Sequence, residues 1–221
     1  MKLKNLSWGS LAFFAIAIGL YPLTYYIVDM RSAGLLQSKP KELLNSTFYI
    51  PVFYTHITFG GIALLSGWTQ FSRKLRDKNL NMHRWLGKVY VIAVVFSSLA
   101  GLFIAFFASG GIISSLGFGL LAILWFATVV KAYTSIRKKK IREHENWMIR
   151  NYALAFAAVT LRIYLPLSQA AFHIDFTLAY RVISWLCWVP NLIIAGIIIS
   201  RRSGLPLYIV KSSEESRALG K

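Results

Sequence analysis

Apolar residues run through this chain in six long blocks, and Lys and Arg collect in the short segments between them. A helix rises 1.5 Å per residue and a bilayer core is about 30 Å thick, so about 20 mainly apolar residues cross it. Six segments meet that length: about 8–29, 48–70, 86–109, 112–134, 148–171 and 178–200. The first follows Met-Lys-Leu-Lys, as a signal peptide would. Its apolar stretch is too long for one and no small-x-small cleavage site follows closely, so it reads as an uncleaved span. The pattern predicts an all-α fold, a polytopic transmembrane helix bundle forming one integral membrane domain over 1–221, with 201–221 as a cytoplasmic tail.

Charge orients the bundle. Lys2 and Lys4 precede the first span. Arg73, Lys74, Arg76, Lys78, Arg84 and Lys88 lie between the second and third. Lys131, Arg137, Lys138, Lys139, Lys140, Arg142 and Arg150 surround the connection between the fourth and fifth. Arg201, Arg202, Lys211, Arg217 and Lys221 follow the sixth. If the spans alternate in direction, these 20 of the 25 basic residues share one side. Positive charge is retained in the cytoplasm, which predicts both termini inside and a multi-pass protein of the cell (inner) membrane. Arg31, Lys39 and Lys41 occupy the opposite side, and Arg162 and Arg181 fall within spans. Trp8, Trp68, Trp85 and Trp147 fall at the inner ends, where interfacial anchors belong.

Composition narrows the classes. Of 221 residues, 56% are hydrophobic and 15% charged, against about 25% charged in soluble domains. The lipid bilayer is thus the main partner. A net charge of +17 raises nucleic acid as a ligand, but the charge lies in loops between apolar runs and reads as topology. A single cysteine, Cys187, excludes an internal disulfide and a cysteine cage for metal.

Polar residues inside spans are the candidate chemistry. At 100° per residue, His56, Gly60, Ala63, Gly67 and Gln70 share one face of the second span. Small residues there serve close helix packing, or leave room for a flat cofactor beside His56. His83, Gly87, Tyr90, Val94, Ser97 and Gly101 share a face of the third. In the fifth, His144, Asn151, Ala155, Ala158, Arg162, Gln169 and His173 fall on one line of a straight helix. Such a stripe is costly in lipid and must face the bundle interior. Arg162 is roughly 21 Å from the inner edge and His56 roughly 12 Å from the outer, so they sit at similar depth. Asp29, at the end of the first span, is the one acidic residue near any span interior, so Arg162 turns to carbonyls, to Tyr164 or to an anionic ligand. In the sixth, Arg181, Ser184, Trp188, Asn191 and Ala195 share a face. Pro190 bends the helix there, and Asn191 is placed to bond freed backbone.

No phosphate-binding loop, His-Glu-x-x-His, Gly-x-Ser-x-Gly or dinucleotide fingerprint occurs. Histidine is the remaining ligand or acid–base group within the bundle.

Several segments recur together as a pattern. They are His56 with Phe59-Gly60-Gly61 and Gly67-x-x-Gln70; the run from Leu80 through His83-Arg84-Trp85-Leu86-Gly87 to Tyr90; His144-x-x-Trp147 through Arg150-Asn151-Tyr152; Thr160-Leu161-Arg162; and Trp185-x-x-Trp188-Val189-Pro190-Asn191. Over about residues 48–200 they resemble the predicted bacterial membrane proteins grouped as domain of unknown function 2306. That resemblance implies a multi-pass membrane protein and brings no established activity. His83-Arg84-Trp85-Leu86-Gly87 is also similar, more weakly, to a His-Ser-Trp-Leu-Gly segment of b561-type transmembrane cytochromes, which hold two haems between paired histidines. Here His56 alone is deep in a span.

Four functional classes stay open, and enzymatic activity with them. One is a b-type cytochrome holding haem b, with a membrane redox partner or quinone. Its candidate cofactor-binding residues are His56, His83, His144, Arg162, Gln70, Tyr90, Asn151 and Arg150. His83 and His144 make its best-matched pair, both at the cytoplasmic edge among basic residues that suit an anionic ligand. A second is a metal site built from His83, His144 and His56. A third is a transporter or channel with Arg162 and the polar faces lining a path. A fourth is a membrane assembly protein whose stripes are interhelical hydrogen bonds.

Overall fold

A computed structural model describes residues 2–28 and 34–203 of the chain. Asp29, Arg31 and the tail beyond residue 203 lie outside the described residues. Among those described, every regular element is helical. Six helical paths are long and apolar enough to cross a membrane: Trp8–Ile27, Tyr49–Phe71, Leu80–Ala105, Ile112–Arg137, Ile141–Ala170 and Phe176–Arg202. They are numbered here as spans 1 to 6.

The number agrees with the hydropathy reading; the boundaries move. Span 3 starts at Leu80 instead of about 86, and span 5 at Ile141 instead of about 148. Hydropathy marks where a helix leaves lipid, whereas hydrogen bonding marks where it stops. The Asn79 side chain accepts the Met82 N–H at 2.9 Å, so the polar segment around His83 is already helix. Asp175 caps span 6 in the same way, accepting from Thr177 N–H at 2.8 Å and Leu178 N–H at 3.2 Å.

Side-chain ties identify the two ends of the bundle. At the basic end, Trp8 and Trp68 meet edge to face with ring centroids 5.3 Å apart, joining spans 1 and 2. Glu145 at the start of span 5 takes hydrogen bonds from Arg76 (3.4 Å) and from Arg202 at the end of span 6 (2.9 Å). At the opposite end, Ser38 and Ser109 hydroxyls are 2.8 Å apart and Lys39 Nζ donates to the Phe107 carbonyl. These contacts hold the span 1–2 loop across the span 3–4 connection. Arg181, near the start of span 6, donates to the Gly110 carbonyl at 2.9 Å.

Two spans are broken, which a straight-helix projection hides. Span 5 consists of half 5a (Ile141–Ala155) and half 5b (Ala157–Ala170), interrupted at Phe156. Span 6 consists of half 6a (Phe176–Leu186) and half 6b (Val189–Ser203). Pro190, the second residue of 6b, has no N–H to continue the ladder, so the bend read from the sequence is present. Asn191 joins the two breaks. Its Nδ2, with two protons, lies within hydrogen-bond distance of three acceptors: the Cys187 carbonyl (2.9 Å) in span 6, and the Ala153 carbonyl (3.2 Å) and Thr160 hydroxyl (2.9 Å) in span 5. Of the single stripe expected along span 5, Ala155, Ala158 and Arg162 line one cavity on either side of Phe156. Its outer end departs from the expectation, since Gln169 is exposed and His173 lies beyond the helix, exposed, with φ of 50°.

The small-residue face of span 2 is filled by protein at Gly67. A Cβ at Gly67 would lie 2.5 Å from the Tyr152 ring and 2.6 Å from the Tyr90 ring. Nearer His56 the same face is open, and Gly60 borders a cavity there.

Candidate functional site

His56 is held by span 3. Its Nδ1 donates to the Ser97 carbonyl at 2.9 Å, and the Ser97 hydroxyl donates back to the His56 carbonyl at 2.8 Å. A carbonyl can only accept, so Nδ1 carries the proton and Nε2 is left for a partner. Gly101 makes the seat, since a Cβ there would sit 2.9 Å from Nδ1.

The ring borders an internal cavity of about 180 Å³. Arg162, Lys39, Tyr49, Tyr180 and Cys187 also line it, with walls from Phe53, Ile57, Ile104, Phe118, Leu121 and Leu154. His56 and Arg162 therefore meet in one space, from spans 2 and 5. Arg162 donates through Nη1 to the Ala158 carbonyl one turn back, at 3.0 Å, and its guanidinium stacks 4.8 Å over the Tyr21 ring. Among the described residues it makes no ion pair, and no carboxylate lines the cavity. Ala155, Ala157 and Ala158, which flank the break in span 5, form part of the wall. The first turn of 5b thus contributes the positive end of a helix dipole.

The other proposed site residues lie elsewhere. Tyr90 and Asn151 are fully buried and tied to each other. Tyr90 OH donates to Asn151 Oδ1 at 2.5 Å, and Asn151 Nδ2 donates to the Trp125 carbonyl and the Thr128 hydroxyl, both at 2.8 Å. Both amide protons and the amide oxygen are engaged, so this is a clamp between spans 3, 4 and 5 with no donor left for a ligand. At the basic end, Gln70 lies over Gly87 and donates to Thr69 Oγ1 at 3.3 Å. Arg150 and Lys131 lie 4.8 Å and 4.5 Å from the Trp147 ring centroid. His144 Nδ1 donates to the Ala132 carbonyl at 2.8 Å. His83 is within electrostatic reach of His144 and Arg76, and its buried Nδ1 has no hydrogen-bond partner among the described residues.

Most of the cavity lining, the clamp and most of the basic end fall inside one stretch, residues 53–199, that matches the family model of a predicted membrane protein, domain of unknown function 2306. The chain belongs to that family. No curated protein and no solved structure matches it. Within the domain of unknown function 2306 region, His83 and His144 lie toward the basic end, whereas His56 is the one histidine among the described residues that line the cavity. No group of three or more His, Cys, Asp or Glu that could hold a metal occurs among the described residues. One histidine, His56, lines the cavity among the described residues, so no histidine pair for a haem meets there.

Lys39 lies outside the matched stretch, in a loop, and the sequence reading assigned it only to topology. Its place at the cavity comes from the long-range contact with Phe107. Half-buried and without a carboxylate partner among the described residues, its amine is pushed down from 10.5 to about 8 by desolvation. Between those two values the unfolded chain holds the extra proton, so stability should rise with pH across that window. Thermal unfolding in detergent is expected to show that rise, and Lys39→Met should flatten it. An identical pH slope in the variant would remove Lys39 as its source.

Proposed function

We propose that this protein holds a small molecule inside the bilayer, as the binding step of a transporter, in the cavity shared by His56 and Arg162. The observation that carries this reading is the cavity itself. It lies between spans, is bordered by two ionisable side chains, and is flanked by the breaks in spans 5 and 6. Ionisable groups within spans mark ligand or ion paths, and interrupted helices recur where transporters bind their cargo. The basic end faces the cytoplasm in this reading, of the inner membrane in a bacterium. Cysteine introduced at Lys138 should then resist an impermeant reagent in intact cells, while one at Gln37 reacts. The opposite result reverses the orientation.

The binding claim is tested with the purified full chain and a panel of compounds of about six to ten non-hydrogen atoms. A ligand at 100 times its Kd adds about 2.7 kcal/mol, and roughly 2–4 °C of Tm accompanies each kcal/mol in a chain of this size. At least one compound is expected to raise Tm by about 5–10 °C, and Ala122→Phe, which puts a ring into the cavity, should remove the gain. No response from any compound, or equal responses in the variant, would sink the reading. The competing haem reading rests on the unpartnered His83 Nδ1 beside His144. A Soret band that His144→Ala removes would replace the cavity with that pair.

A further inference from the structure

We infer that the ligand is a small monoanion with a compact apolar body, its charged group against Arg162 and its route in from the end where Lys39 sits. The inference rests on the cavity reading above and names the class of molecule that the cavity takes.

Charge is the first argument. Lys39, His56 and Arg162 all border the cavity, and among the described residues no carboxylate does. A guanidinium has five N–H donors in a fixed fork. Among the described residues, one carbonyl, that of Ala158, takes a hydrogen bond from Arg162. The Tyr21 ring covers part of the guanidinium but accepts no ordinary hydrogen bond. Within a span there is little water to serve the guanidinium, and a charge there is expensive unless a partner balances it. A carboxylate matches the fork in geometry and cancels the charge. The first turn of 5b, at Ala157 and Ala158, adds the favourable end of a helix dipole.

Walls and volume define the rest of the molecule. Phe53, Ile57, Phe118 and Leu121 offer apolar surface and no further charge. An engineered apolar cavity of about 150 Å³ holds one benzene. The cavity of about 180 Å³ thus admits one ring or a short branched chain with a single acid group.

Lys39 and Leu36 place the mouth. Both come from the loop between spans 1 and 2 and both line the cavity. Leu36 is 2% exposed and closes the cavity at the end opposite the basic loops. Lys39, bonded to the Phe107 carbonyl, holds that loop over the span 3–4 connection and puts a cation where an anion would pass.

Benzoate and its neutral counterpart benzyl alcohol separate the claims, measured on the detergent-purified full chain at neutral pH by titration calorimetry. Benzoate should bind at least about tenfold more tightly, as expected for charge-assisted over neutral hydrogen bonds. Arg162→Gln should bring the ratio of the two affinities near one. If Arg162→Gln fails to fold, Lys39→Gln, on the loop, serves instead, and should weaken benzoate several-fold more than it weakens benzyl alcohol. Equal binding of the two by the wild type, with both lost in Ala122→Phe, would overturn the anion inference and leave the cavity reading standing. Preference for benzylamine over benzoate would overturn it as well. Absence of binding by all three, with no hit in the wider panel, would overturn both.

Discussion

Gly67→Leu is expected to leave little folded protein. Gly67 lies where span 2 meets the Tyr90 and Tyr152 rings, and even a Cβ would come within 2.5–2.7 Å of their carbons. Neither ring can retreat. Tyr90 is 0% exposed and anchored through its hydroxyl to Asn151, and Tyr152 is 3% exposed with its hydroxyl on the Leu64 carbonyl at 3.3 Å. Overpacking of a well-filled core costs about 1–3 kcal/mol and sometimes more. Here it also threatens two hydrogen bonds, so the upper end or beyond is expected. Gly119→Leu is the control, because a Cβ at Gly119 meets nothing within 4 Å. Expression and thermal stability in detergent should collapse for the first and change little for the second. Similar behaviour of the two variants would mean that span 2 does not pack against those rings.

The clamp between spans 3, 4 and 5 supports the second large effect. Asn151→Leu removes the acceptor of the Tyr90 hydroxyl and the donor to the Trp125 carbonyl and Thr128. A buried polar group left without a partner costs about 1–3 kcal/mol. Thr128 retains its own bond to the Leu124 carbonyl at 2.7 Å, so the Tyr90 hydroxyl is the principal orphan. Removing that hydroxyl too, in Tyr90→Phe with Asn151→Leu, should restore part of the loss. The double variant should thus be more stable than Asn151→Leu alone. Additive losses would show that the two side chains act separately. Interhelical hydrogen bonds in membrane proteins average only about 0.6 kcal/mol, so recovery in the double variant is more decisive than the size of the single loss.

Much of this architecture is legible in the residue order, for identifiable reasons. Hydropathy and basic loops count the spans because lipid and positive charge act over whole segments. The shared depth of His56 and Arg162 follows from rise per residue alone. The inward faces of Ser97, Tyr90 and Asn151 follow from helical period, but period does not say whether a polar side chain meets a ligand or a neighbour. Tyr90 and Asn151 turned out to satisfy each other. The break at Phe156 carries no proline or glycine at the break itself to announce it. A projection drawn straight through it placed His144 and His173 on the line of Arg162. The break in span 6 was legible because Pro190 states its chemistry openly. Lys39 escaped notice because its role depends on a carbonyl 68 residues away, and loop charges ordinarily report topology only.

The two breaks have a joint consequence. Halves 5b and 6a follow one another in sequence through the turn at 171–175, and they pack on each other, as 5a does on 6b. The pair 5b–6a is thus a hairpin attached to the basic half of the bundle by two interruptions that Asn191 ties at one level. The hairpin is braced at its other end as well, where Arg181 and Trp185 of 6a donate to the Gly110 and Ile113 carbonyls. Arg162 and Tyr180 belong to that braced hairpin, while His56 belongs to span 2, which has no such interruption beside it. The guanidinium and the imidazole are therefore positioned by separate frames, one fixed at two levels by hydrogen bonds and the other by the seat at Gly101.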